Sequence, residues 1–109
     1  MSWSVVFLDE AKRDMKRLDR GVQIQVLKGI QKVAENPLSV NEGGYGKPLG
    51  HRNTADLTGL YKIKFSSLGL RVVYKAEIIA SRMRIIVVSA CSDEQVYREA
   101  ARRRSKHEL

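Results

Sequence analysis

Three cations lie close together near the middle of the chain. Lys62 and Lys64 alternate with Tyr61, Ile63 and Phe65, and Arg71 sits between Leu70 and Val72 a few residues on. The period of two predicts a pair of strands flanking the turn Ser66-Ser67-Leu68-Gly69. If the hairpin closes symmetrically over 66 to 69, Phe65 meets Leu70, Lys64 meets Arg71 and Lys62 meets Val73, so all three cations share one face. Such a face suits phosphate chemistry, because a guanidinium fork binds two oxygens at once and an amine can move a proton. Like charges set opposite each other cost a sheet roughly a few tenths of a kcal/mol, which an anion between them would relieve. A charged face is also what an antiparallel sheet commonly shows to water, so the pattern by itself leaves both readings open.

Other chemistries find less support. His51 and His107 are far apart in sequence, no His or Cys spacing suits zinc, and no glycine-rich phosphate loop lies between a strand and a helix. The sequence therefore predicts neither a metal nor a cofactor. Asp93 and Glu94 are explained by the first turn of a helix, and Ser66, Ser67, Ser89 and Ser92 have no evident base partner.

The elements that must position the cations are legible in the apolar pattern. Trp3 to Leu8 reads as a first strand, and Asp9 is the expected cap of a helix carrying Ala11, Met15 and Leu18 at i, i+4 and i+7. After Asp19-Arg20-Gly21 a second helix aligns Val22, Val26, Ile30 and Val33, with Leu27 and Ala34 beside them, until Asn36-Pro37 stops it. Residues 38–55 concentrate turn formers and are expected to be an irregular loop. Met83 to Ser89 is apolar on both faces after Arg84, as in a central strand, and Ser92-Asp93-Glu94-Gln95 reads as a capping box for a last helix through about Arg104. The expected fold is α+β in the order β-α-α-β-β-β-α. It has a small four-stranded antiparallel sheet, mixed at its first strand, with the two N-terminal helices on one face and a C-terminal helix.

With 109 residues the chain has room for one domain, 1–109, and its single Cys91 cannot form an internal bridge. Neither a secretory leader nor a bilayer-spanning apolar run is present, so the expectation is a soluble cytoplasmic protein with no membrane partner. A net charge of +8 favours a polyanionic partner, nucleic acid first and an acidic protein second.

The segment from Leu60 to Tyr74, LYKIKFSSLGLRVVY, resembles the core signature of the RelE family within the RelE/ParE superfamily of bacterial toxins. The resemblance extends to the element order, the Asn36-Pro37 stop and the Val96-Tyr97-Arg98-Glu99-Ala100 stretch. It implies the toxin of a type II toxin–antitoxin system: a metal-independent endoribonuclease, or mRNA interferase. Such an enzyme cuts mRNA in the ribosomal A site by attack of the ribose 2′-oxygen on its own 3′-phosphate, and so inhibits translation. Implied partners are mRNA, the ribosome with its 16S rRNA, and a cognate antitoxin. Carried over by position, Lys62 and Lys64 match two catalytic lysines, one a general base if neighbouring cations lower its pKa. Arg71 matches the arginine that steadies the phosphate, and Tyr97 the aromatic residue that stacks on a base or hydrogen-bonds near the scissile group.

One departure stands out. Where the family carries Gly-Lys-Arg or Gly-His-Arg after the last strand, this chain has Ser89-Ala90-Cys91, which puts Cys91 at an expected arginine position. Either Arg98, Arg102 or Arg103 supplies the missing cation, or cleavage is attenuated. The basic tail, with Arg98, Arg102, Arg103, Arg104 and Lys106, is expected to contact RNA or the ribosome. Two other readings share the fold: a ParE-like inhibitor of DNA gyrase, and a catalytically weakened RNA or ribosome binder.

Overall fold

The computed structural model describes residues 3–52, 55–90 and 92–109. Cys91 lies outside the described residues. The chain is α+β. A strand β1 (Ser4–Phe7) leads into helices α1 (Asp9–Lys16) and α2 (Arg20–Val33). Four strands follow, β2 (Lys47–Arg52), β3 (Ala55–Phe65), β4 (Leu70–Glu77) and β5 (Arg82–Ser89), and then helix α3 (Asp93–Lys106). The strands form one sheet in the order β1-β5-β4-β3-β2, with β1 parallel to β5 and the other pairs antiparallel.

The sheet thus has five strands where four were expected, and the difference is β2. Residues 47–52 fall inside the stretch read as irregular, where Pro48 and Gly50 hide any alternation. Pairing with β3 makes them a strand, and its register slips between those two residues. As the outermost strand, β2 needs only one ladder of hydrogen bonds, which is where proline is tolerated. Asp9 is also not the cap expected. Leu8 occupies that position and Asp9 is the first helical residue, where its charge suits the helix dipole. The box at Ser92 does form, its hydroxyl accepting from the Gln95 N–H at 3.4 Å.

The hairpin register is the one expected, with Lys62 opposite Val73, Lys64 opposite Arg71 and Phe65 opposite Leu70. The turn closes with Leu68 N–H on the Phe65 carbonyl and Gly69 N–H on that of Ser66, and Gly69 takes φ +66°, a conformation glycine reaches without a Cβ clash. On one face Phe65 packs against α2, close enough that a Cβ on Gly29 would lie 2.3 Å from its ring. Tyr61 stacks on Tyr74 with centroids 5.3 Å apart, and the buried Tyr74 hydroxyl donates to the Pro37 carbonyl at 2.7 Å. The other face is not left open. Helix α3 lies across it, and Val72, Val73 and Tyr74 in succession are fully buried, which requires cover on both sides.

Beyond Ile85 the strand β5 has no β1 residue to pair with, because the chain turns at Leu8 into α1. Its exposed edge is closed by side chains. Asp14 of α1 accepts from the Val88 N–H at 3.0 Å, and Arg103 of α3 donates to the Ile86 carbonyl at 2.9 Å and to Asp14 at 2.7 Å. Both charged side chains are about nine-tenths buried. Removing one partner of such a pair leaves an uncompensated buried charge. Asp14→Ala is therefore expected to destabilise the chain by about 3 kcal/mol, read as a lower urea midpoint. A midpoint equal to that of the wild type would show that the pair does not hold the helices together.

Candidate nucleic-acid interface

The sheet arranges the cations in two rows, because residues paired across strands point to the same side. One row is Lys47, Lys62, Val73 and Val87, from β2 to β5, and the next is Lys64, Arg71 and Ser89. Lys47 is a fourth cation on this face that the sequence did not offer as a candidate. Its signal lay in a stretch without alternation, and only the β2–β3 register sets it beside Lys62. Lys47 and Lys64 are exposed, and Lys62 and Arg71 partly buried.

Helix α3 borders this face. Asp93, in its first turn, forms an ion pair with Arg71, the residue matched to phosphate binding. At the far end of the helix the Lys75 amine donates to the backbone carbonyl of Leu109 at 2.5 Å. The acid partly neutralises Arg71 within the basic face.

The other expected site residues divide into two groups. Arg98 and Arg102 are exposed on α3, paired with Glu94 at 2.5 Å and Glu99 at 2.6 Å. Arg103 points inward instead, while Lys106 stays exposed. Arg103, expected at the RNA surface, is 8% exposed and committed to Asp14, Glu99 and the β5 backbone. Lys106 reaches Glu10 at 3.0 Å. Arg104 runs past the backbone of β3 at Gly59. Tyr97 belongs to the core, 6% exposed, so in this arrangement its ring presents no surface for a base. The helical period explains the difference: Val96, Tyr97, Ala100 and Arg103 recur on the stripe that α3 buries.

Glu10 of α1 anchors the end of α3. It meets His107 Nε2 at 3.0 Å as well as Lys106, and these contacts, His107 first, hold its carboxyl down at about 2 against an ordinary 4.5. A depressed carboxylate pKa contributes stability above the unfolded value, and the contribution is lost as pH falls through the folded one. Glu10→Gln is expected to lower the Tm at pH 7 by a margin that narrows below pH 4.5 and closes near pH 2. Thermal unfolding across that pH series is the measurement, and a margin independent of pH would remove the role assigned to Glu10.

No protein-family model matches the chain. A RelE-like toxin protein of Escherichia coli is 31% identical over 108 residues, covering 94% of this chain and 98% of its own length. Among solved structures, the free-state form of a double arginine-to-alanine mutant of the E. coli toxin RelE superposes with a TM-score of 0.70 at 28% identity, over 94% of this chain and 98% of that one. The isolated E. coli RelE toxin gives 0.67 at 26% identity over 99% and 100%. The same mutant in complex with a peptide of the antitoxin RelB gives 0.66 at 26% identity over 92% and 95%.

Proposed function

The chain belongs to the family of RelE-like toxins, and from that membership we propose that it is the toxin of a toxin–antitoxin pair and a metal-independent endoribonuclease acting on ribosome-bound mRNA. The observation that carries the reading is the pair of cation rows, with Lys47, Lys62, Lys64 and Arg71 on one face of the sheet. A phosphodiester with its neighbouring 2′-hydroxyl is the substrate those groups can process without a metal.

In the proposed step the 2′-oxygen bonds to phosphorus as its proton passes to Lys62 or Lys64, and the bond from phosphorus to the 5′-oxygen breaks. The departing oxygen takes a proton from the other lysine or from water. Cyclic 2′,3′-phosphate and 5′-hydroxyl ends result. Arg71 acts on the charge that grows on the non-bridging oxygens, once it has exchanged Asp93 for phosphate, and Lys47 adds to the field. Tyr97 takes part only if α3 moves, since its ring is buried here. Among the tail cations, Arg98, Arg102, Arg104 and Lys106 stay in the proposal as RNA or ribosome contacts, whereas Arg103 serves the fold. An antitoxin that covers the basic face would silence the toxin by charge and by exclusion.

Expression of the chain alone in bacteria is expected to stop growth and cut ribosome-associated messages. Intact messages with inhibited DNA supercoiling would instead favour the gyrase reading. On translating ribosomes, Arg71→Ala is expected to slow cleavage by about 10²- to 10³-fold. Asp93→Asn, which removes the acid paired with Arg71, should strengthen RNA binding. Cys91→Arg, which restores the cation of the family pattern, should raise the rate. Rates unaltered by all three substitutions would remove the assignment of the site.

A further inference from the structure

A cleft of about 530 Å³ separates α1 from α3 between Gln95 and Arg103 and opens at the end of β5. Its lining contains acids, yet each is already engaged. Glu10 is held by Lys106 and His107, Asp14 by Arg103 and the Val88 N–H, and Glu99 by Arg102 and Arg103. Two lining arginines remain, Arg13 on α1 and Arg17 at its C-cap. Both are exposed, and among the described residues neither has an ion-pair partner. They stand at i and i+4 on the helix face that carries Asp14, where like charges repel by roughly a few tenths of a kcal/mol.

The position of the cleft points to the anion. Ser89, which lines it, is the cross-strand partner of Arg71. Gln95, on the opposite wall, lies two residues beyond Asp93, which pairs with Arg71. The cleft therefore begins where the cation rows of the sheet end, and it continues them between two helices.

We propose that the cleft between α1 and α3 is a second phosphate subsite, in which Arg13 and Arg17 hold the backbone of the same single-stranded RNA whose phosphate lies at Arg71. This rests on the nuclease reading for the identity of the strand. The ligand is sequence-independent phosphate, taken by exposed guanidinium groups, while Gln95 offers a neutral hydrogen bond to sugar or phosphate oxygens. The occupied acids behind the arginines keep the wall neutral, so that the two free cations set its sign.

The test uses the full chain and RNA oligonucleotides with 2′-O-methyl riboses, which bind but cannot be cleaved. Wild-type affinity is expected to rise with length from a trinucleotide to a nonanucleotide. In Arg13→Ala/Arg17→Ala most of that rise is lost, about tenfold at low salt, with a shallower dependence on salt concentration. Both residues are exposed, so the Tm of the variant should stay that of the wild type, and cleavage at saturating ribosome concentration should keep its rate while the half-saturating concentration increases. A variant that keeps the wild-type length dependence overturns the proposal. So does a loss confined to ribosomes with oligonucleotide binding unchanged, which would assign the arginines to ribosomal RNA. Unchanged RNA binding with weaker capture of poly-glutamate would assign the cleft to a protein and overturn it equally. Length-dependent binding by a wild-type chain that cleaves nothing supports the subsite and removes the nuclease reading, and a wild-type chain that binds no RNA overturns both.

Discussion

The arrangement of this molecule depends on a buried charge pair at the unfinished edge of a strand. Strand β1 covers β5 only as far as Ile85, leaving the N–H of Val88 and the carbonyl of Ile86 without a ladder partner. Asp14 and Arg103 satisfy both groups and each other. A backbone edge in the protein interior has to be closed, and an isolated carboxylate or guanidinium there would be costly. The pair meets both demands together and ties α1 to β5 and α3, which are distant from it in sequence, at one point.

The place of α3 follows from that tie. With Arg103 fixed over β5 and Glu10 holding Lys106 and His107, the helix has to run across the face of the sheet that carries the cations. Its apolar stripe of Val96, Tyr97 and Ala100 packs down, and Val73 is buried in consequence. The exposed basic surface is therefore the part of that face that α3 leaves uncovered, bordered by Asp93 at Arg71. Much of the repulsion expected among clustered cations is met from the protein itself, by Asp93 at the site and by Glu94 and Glu99 along the helix.

Such a border explains how a strongly basic protein can gather cations on one face and still fold around it. Exposed pairs such as Arg98 with Glu94 contribute little to stability and are open to exchange with another anion. Buried pairs such as Arg103 with Asp14 are not exchangeable without loss of the fold. The same residue type thus does two different jobs on one helix, decided by which side of the helix it occupies.

The sequence by itself determined the local features. Alternation over Tyr61–Phe65 and Leu70–Tyr74, with a turn able to close over four residues, was enough to set the register that brings Lys62, Lys64 and Arg71 to one face. Ser92 and Gln95 marked the start of α3, and the unbroken apolar run marked β5 as covered on both sides. Each of these rests on a period or on a cap that spans a few residues. Tertiary structure alone decided the rest. Residues 47–52 became a strand because β3 offered them an edge, which placed Lys47 next to Lys62. Arg103 left the basic surface because β5 had an open edge to close, and Tyr97 left it because the buried stripe of α3 runs through it. Contacts between α1 and α3 join residues 89 positions apart in the chain, and no local pattern records a partner at that separation.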